Sequence, residues 1–118
     1  MKSSLRQFFE TDRLQMETQF MKAYNEGIQA INQKEYLLAQ DSFHICMIQF
    51  QELLLQSNGL EKGREDIPFS TLSVFPLNLE ERWGYIHDQA GRYTSFIQLN
   101  ELFREQVKKI ASAQARNE

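Results

Sequence analysis

Apolar residues recur at Leu5, Phe9, Met16, Phe20, Tyr24, Ile28 and Ile31, with polar residues between them. Spacings of three, four and seven keep such a set on one face of a helix with 3.6 residues per turn. The pattern predicts a first helix from about Ser4 to Gln33, with the Ser4 hydroxyl as its N-cap. No proline interrupts it. Gly27 lies within the stripe at a cost of about 1 kcal/mol relative to Ala, which points to close approach of another helix. A second stripe, Tyr36, Ala39, Phe43, Cys46, Met47, Phe50, Leu53 and Leu54, predicts a helix from about Lys34 to Ser57. Asn58 and Gly59 supply its left-handed stop. A tight turn near Asn32 is the preferred boundary, because one continuous helix through both segments would be unusually long for a small domain.

From Gly59 to Leu77 the periodicity lapses. This stretch holds both prolines and the charge cluster Glu61-Lys62-Gly63-Arg64-Glu65-Asp66, then turns apolar at Ile67, Phe69, Leu72, Val74 and Phe75. It reads as a long irregular connection. Phe69, Leu72 and Phe75 either plug one end of the core or form an arm that reaches a groove or a partner. Helical patterning resumes from Leu79 to Ala90, where Asn78 and Glu81 have the spacing of a capping box. Glu80 and Glu81 suit the positive end of a helix dipole. Gly91 breaks the pattern. A fourth helix is predicted from Arg92 to Ala113, with Tyr93, Phe96, Asn100, Phe103, Val107 and Ile110 as its inner face. Ser112 to Glu118 reads as a frayed polar tail.

Composition agrees with one all-α domain spanning residues 1–118, with four main helices in two antiparallel hairpins. Apolar residues make up 42% of the 118 and there are only two prolines and five glycines, too few turn residues for an all-β sandwich. A net charge of -3 argues against a general nucleic-acid footprint. The single cysteine, Cys46, forbids an internal disulfide and favours a reducing compartment. No apolar run approaches the roughly 20 residues of a membrane span, and the N-terminal residues lack the apolar core of a signal peptide. A cytoplasmic protein is expected.

The two halves correspond at a shift of 57 residues: Gly27 aligns with Gly84 and Tyr36 with Tyr93. Ala23 to Cys46 and Glu81 to Phe103 each read as helix, turn at the tyrosine, helix. This resembles the tetratricopeptide repeat, whose period is about 34 residues. Gly27, Tyr36, Ala39, Phe43 and Cys46 carry the likeness in the first unit, and Trp83, Gly84, Gly91 and Tyr93 in the second. Phe96 and Asn100 depart from it, the closing proline is missing from both units, and the connection after Gly59 acts as an insert. A generic four-helix bundle is the other architecture compatible with these residues. The resemblance implies a concave groove lined by Tyr24, Asn25, Ile28 and Asn32 of the first unit and Tyr85, Asp88 and Gln89 of the second. Asn and Tyr would hydrogen-bond an extended peptide there while keeping apolar contact.

Candidates for catalysis are few. The spacing of Arg82 and His87 resembles the Arg-to-His motif of HEPN ribonucleases, which are also helical bundles. That likeness implies a general acid or base at His87 and a phosphate-stabilising Arg82. Five residues of helix set the two side chains about 140° apart, so a kink or a second chain would have to bring them together. Asp41 with His44, and His87 with Asp88, lack the spacing of a zinc site, and no metal is expected. His44 lies two residues from Cys46 and faces elsewhere, so the thiol has no base on its own helix. Gly59 and Gly63 are not followed by the Lys-Ser/Thr of a phosphate loop. No cofactor is implied.

Nine Phe, four Tyr and one Trp exceed what a four-helix core of this size must bury, and Phe8 and Phe9 cannot both face one core. Met16, Met21 and Met47 add adaptable apolar surface. The sequence reads best as a non-catalytic adaptor, chaperone-like or regulatory module that binds another protein or peptide. One alternative is a HEPN-like ribonuclease using Arg82 and His87. The other is a structural homodimer with Phe8, Phe9 and Phe20 buried between chains. A membrane or nucleic-acid partner is not expected.

Overall fold

The computed structural model describes residues 10–117. They form four α-helices: α1 (Glu10–Asn32), α2 (Tyr36–Ser57), α3 (Leu79–Asp88) and α4 (Tyr93–Asn117). A single 3-10 turn, Phe69–Thr71, interrupts the connection between α2 and α3, and there is no strand among the described residues. The all-α reading holds. The expected start of the first helix, with Ser4, Leu5 and Phe9, lies outside the described residues, as does Phe8.

The α1–α2 turn is made by the backbone. The N–H of Lys34 donates to the Ile31 carbonyl at 3.0 Å and that of Glu35 to the Ala30 carbonyl at 2.8 Å. This is a Schellman close, with Lys34 in the left-handed position (φ 61°) that glycine usually fills. α2 ends in the same way, this time with a glycine: Gly59 donates to Gln56 and Leu60 to Leu55, and Gly59 has φ 73°. Along α1 the inward line is Met16, Phe20, Ala23, Gly27 and Ala30, all buried. Larger apolar residues, Met21, Tyr24, Ile28 and Ile31, pack beside that line half-buried. Small residues at its centre let α1 and α2 lie close together. A Cβ on Gly27 would run into the Phe96 ring and stand 3.2 Å from the Ser42 Cβ.

α4 crosses both helices of this hairpin. Phe96 is fully buried, edge-on to Phe43 of α2 at 5.0 Å and to Tyr24 of α1 at 6.2 Å. Phe103 stacks on Phe20 at 4.2 Å. α3 seals a further side, with Trp83 5.4 Å from the Phe50 ring. Gln40 of α2 donates to the Ala90 carbonyl at 3.0 Å and so fixes the α3–α4 turn. There Gly91 has φ 82°, and a Cβ would collide with the Gln40 amide.

The structure corrects several expectations. Asn78 and Glu81 do not form a capping box: Asn78 is itself left-handed (φ 56°) and makes no side-chain cap bond. An N-cap side chain reaches the first turn from extended backbone. Tyr36 and Tyr93 are exposed rather than part of the inner stripes, and the inner face of α4 runs through Phe96, Leu99, Leu102, Phe103, Gln106, Ile110 and Ala113. Asn100 and Val107 stand at its edge, half-buried. The tail is not frayed from Ser112: α4 continues to Asn117, with Ala113 buried. No proline or glycine interrupts this stretch, and Ala, Gln and Arg favour helix. Gly84, aligned with Gly27, is exposed and a Cβ there would meet nothing within 4 Å. Phe20 is wholly buried within the chain, so it is not available between two chains.

Candidate functional site

The connection after α2 is drawn onto the core. Ile67 and Leu72 are buried, and Phe69 and Val74 pack half-buried against it. Phe75 does not plug the core; it is 42% exposed. Polar side chains hold the segment down. Asn58 Nδ2 donates to the carbonyls of Leu54 (2.7 Å) and Val74 (2.8 Å), while its Oδ1 accepts the N–H groups of Ser73 (2.7 Å) and Val74 (2.8 Å). Gln106, fully buried on α4, donates through Nε2 to the Ser57 hydroxyl at 2.9 Å and to the Val74 carbonyl at 3.0 Å. Its Oε1 is buried with no hydrogen-bond partner among the described residues.

This fixed strap and the C-terminal half of α4 form the walls of an open cleft of about 620 Å³. Ser73, Val74, Phe75 and Leu77 line one side, and Glu105, Lys108, Lys109, Ser112 and Arg116 the other. Leu77 is 71% exposed. At the head of the cleft Arg82 of α3 makes a two-pronged pair with Glu105. Nη1 meets Oε1 at 3.1 Å, Nη2 meets Oε2, and Nη1 also donates to the Leu77 carbonyl at 2.9 Å. Hydrogen bonding from Arg82 holds the Glu105 carboxyl below the usual carboxylate range, with smaller help from the charges of Lys109 and Lys108. The same hydrogen bond raises the Arg82 guanidinium. With its one carboxylate already neutralised, the cleft presents Lys108, Lys109 and Arg116. Among the described residues none of these three has an ion-pair partner. The helix dipole accounts for Arg116 in the last turn but not for Lys108 and Lys109, two turns earlier, because the effect fades within one turn.

A second opening of about 530 Å³ lies between α1 and α4, floored by Met21, Phe103 and Val107 and edged by Glu17, Thr18, Asn100, Arg104 and Lys108. Lys108 therefore borders both clefts. A third, of about 310 Å³, has Glu80 and Glu81 at its edge and shares Phe75 with the first.

The residues read from sequence as a groove are distributed differently. Tyr24 is turned into the α1–α4 seam beside Phe20 and Phe96, and burial raises its hydroxyl pKa, with Tyr93 adding to the effect. Ile28 packs half-buried on the core, and Asn25 and Asn32 are exposed. Tyr85 is 47% exposed and Asp88 is exposed, whereas Gln89 is half-buried and accepts the Ser95 hydroxyl at its carbonyl (2.6 Å). None of the seven lines the three clefts. Of the nuclease-like pair, Arg82 is engaged by Glu105, and His87 is exposed with its ring edge-on to Trp83 at 5.0 Å. Cys46 is sealed in the core. Its thiol faces the Phe20 carbonyl at 3.8 Å, and burial pushes its pKa up to about 12. Among the described residues no three His, Cys, Asp or Glu gather as metal ligands, and no helix is long and apolar enough to cross a membrane.

The profile of the YpoC-like protein family matches residues 3–118. The chain belongs to this family. No curated protein and no solved structure matches it. Sequence reasoning missed the cleft because Lys108, Lys109 and Arg116 look like an ordinary solvated helix face until the strap is folded beside them. The one available signal was that apolar Phe75 and Leu77 and the adjacent basic pair Lys108-Lys109 occur in a chain of net charge -3.

Proposed function

We propose that this protein is a non-catalytic module that binds an acidic peptide segment of another protein, as a cytoplasmic adaptor or regulator. The cleft between the strap and α4 carries the reading: three unpaired cations face exposed Phe75 and Leu77 on a chain that is acidic overall. A peptide with alternating acidic and apolar side chains matches that surface. Its carboxylates would meet Lys108, Lys109 and Arg116, and its apolar groups Phe75 and Leu77. The rigid strap lowers the ordering cost of binding. A single cysteine, unable to form an internal disulfide, suits a reducing compartment.

Fluorescence anisotropy with a labelled Glu/Leu-rich peptide tests this. Binding is expected to weaken as salt rises and to fall at least tenfold in Lys108→Glu/Lys109→Glu. Tyr85→Ala, which lies outside the cleft lining, is expected to bind as wild type. Equal binding by wild type and the double reversal would remove the cleft as the site. Preference for a single-stranded RNA of the same charge would favour a nucleic-acid role instead.

A further inference from the structure

α2 buries Ala39, Phe43, Cys46 and Phe50, yet its opposite side is also apolar. Leu37 is 84% exposed, and Leu38, Ile45 and Ile48 are exposed as well. At about 100° per residue, Leu37, Asp41, His44 and Ile48 fall within an arc of about 60°, with Leu38 and Ile45 along one edge. Spacings of four, three and four are those of a coiled-coil seam. Asp41 and His44 are exposed too. The open stretch is bounded. Just beyond Ile48, Gln51 donates to the Arg64 carbonyl at 2.8 Å and Glu52 accepts the Gly63 N–H at 2.8 Å, so the connecting loop leans on that part of the helix. Among the described residues nothing covers the remaining stretch of about three turns.

The order of residues along this line identifies its occupant. Laid antiparallel on itself about a midpoint between Ser42 and Phe43, the line sets Leu37 opposite Ile48 and Asp41 opposite His44, twice over. Apolar meets apolar, and each carboxylate meets an imidazole that can donate a ring N–H. A parallel pairing would instead set Asp41 against Asp41. This self-complementarity, in which one residue contacts a second and the second contacts the first, is the requirement of a two-fold interface.

We infer that this face is a homodimer interface, with α2 packed antiparallel on α2 of a second copy and centred on reciprocal Asp41–His44 contacts. Three turns of helix make a small interface beside the roughly 1,600 Å² of a standard complex, so the dimer dissociates on dilution. The face is separate from the basic cleft, and the inference does not depend on the peptide reading.

Sedimentation across micromolar to near-millimolar concentrations reads it directly. The weight-average mass is expected to rise towards twice the monomer value, and to stay at the monomer value in Leu37→Glu/Ile48→Glu. Both positions are exposed, so an unchanged circular dichroism spectrum would show the variant folded. Asp41→Lys is expected to weaken the dimer and Asp41→Lys/His44→Glu to restore it. Under oxidation, a mixture of Leu37→Cys and Ile48→Cys chains should cross-link more than either variant alone, since each cysteine faces the other position. A wild type that stays monomeric throughout would overturn the inference. So would a dimer that survives Leu37→Glu/Ile48→Glu, or cross-linking as strong in the single variants as in the mixture.

Discussion

Across the α1–α2 hairpin the buried contacts are apolar and regular, and one exposed side-chain hydrogen bond, Gln49 to Gln19 at 2.8 Å, lies at their edge. Ala23 and Ala30 of one helix share a core with Ala39, Phe43 and Cys46 of the other, Gly27 leaves room for Ser42 and the Phe96 ring, and a turn of three residues joins the two helices. In the half that follows, two helices of very unequal length and a long connection are fastened by single polar side chains acting across wide gaps in sequence. Asn58 holds Ser73 and Val74, Gln106 holds Ser57 and Val74, Gln40 holds Ala90, and Arg82 holds Glu105. Short regular connections need only periodic apolar residues. A long irregular strap leaves backbone N–H and C=O groups that side chains must satisfy, because burying them unpaired costs about 1–3 kcal/mol each. The cleft is made in the second half, where polar clamps fix the strap and leave its Phe75 and Leu77 exposed.

Phe96 joins the two regions, so its removal should be the most damaging change. Phe96→Ala is expected to cost about 3–5 kcal/mol in urea unfolding. Gly27→Ala, which pushes a methyl at the same ring, should cost about 1–3 kcal/mol alone and much less in a Phe96→Leu background. Equal costs in both backgrounds would mean that the ring is not what Gly27 accommodates.

Breaking a clamp should separate the regions. Asn58→Ala and Gln106→Ala are each expected to cost about 2 kcal/mol. Amide exchange at Ser73 and Val74 should quicken well beyond that at Ala39 to Phe50. Uniform acceleration across the chain would show that the strap has no stability of its own to lose.

A smaller effect is expected at the Arg82–Glu105 pair, which is partly exposed. Glu105→Gln should cost about 1 kcal/mol or less at neutral pH. Because the folded state holds this carboxyl below its unfolded value, the contribution is complete above the unfolded pKa of about 4.3. It is lost as pH falls through the lower folded value. The gap between wild type and Glu105→Gln should therefore close on acidification and be unchanged between pH 6 and 8. A gap that persists in strong acid would mean that the carboxylate charge is not the source.

The smallest change acts in the hairpin. Lys34 occupies a left-handed position, so Lys34→Gly should add about 0.5–1 kcal/mol of stability. A loss would show that the Lys34 side chain contributes more than its backbone costs.

Much of the hairpin was legible from residue order. Phe43, Cys46, Phe50, Leu53 and Leu54 sit where the 3.6-residue period placed them, and the stop at Asn58-Gly59 is the Schellman close that a glycine signals. The period was less informative where inward residues are small or polar. Ala23 and Ala30 are buried at the expense of Tyr24 and Ile28, and Gln106 is buried where Val107 stands half-exposed. A hydrophobicity stripe ranks these in the wrong order because it weighs side chains by apolarity and not by how near another helix comes. Asn78 followed by Glu81 matched a cap on paper, but a left-handed backbone at Asn78 turned the side chain away.

Residue order by itself determined that the chain is helical, that it turns near Asn32 and at Gly59 and Gly91, and that its thiol has no partner for a disulfide. Those properties follow from local backbone preference and from the spacing of apolar side chains along one helix. Tertiary structure alone decided that Arg82 would be neutralised by Glu105, that Lys108 and Lys109 would border a cleft with Phe75 and Leu77, and that the outer line of α2 would stay uncovered by the other described segments. Each of these depends on which segments meet across tens of residues, and the free energy of such meetings resides in packing and desolvation between elements that no local pattern contains.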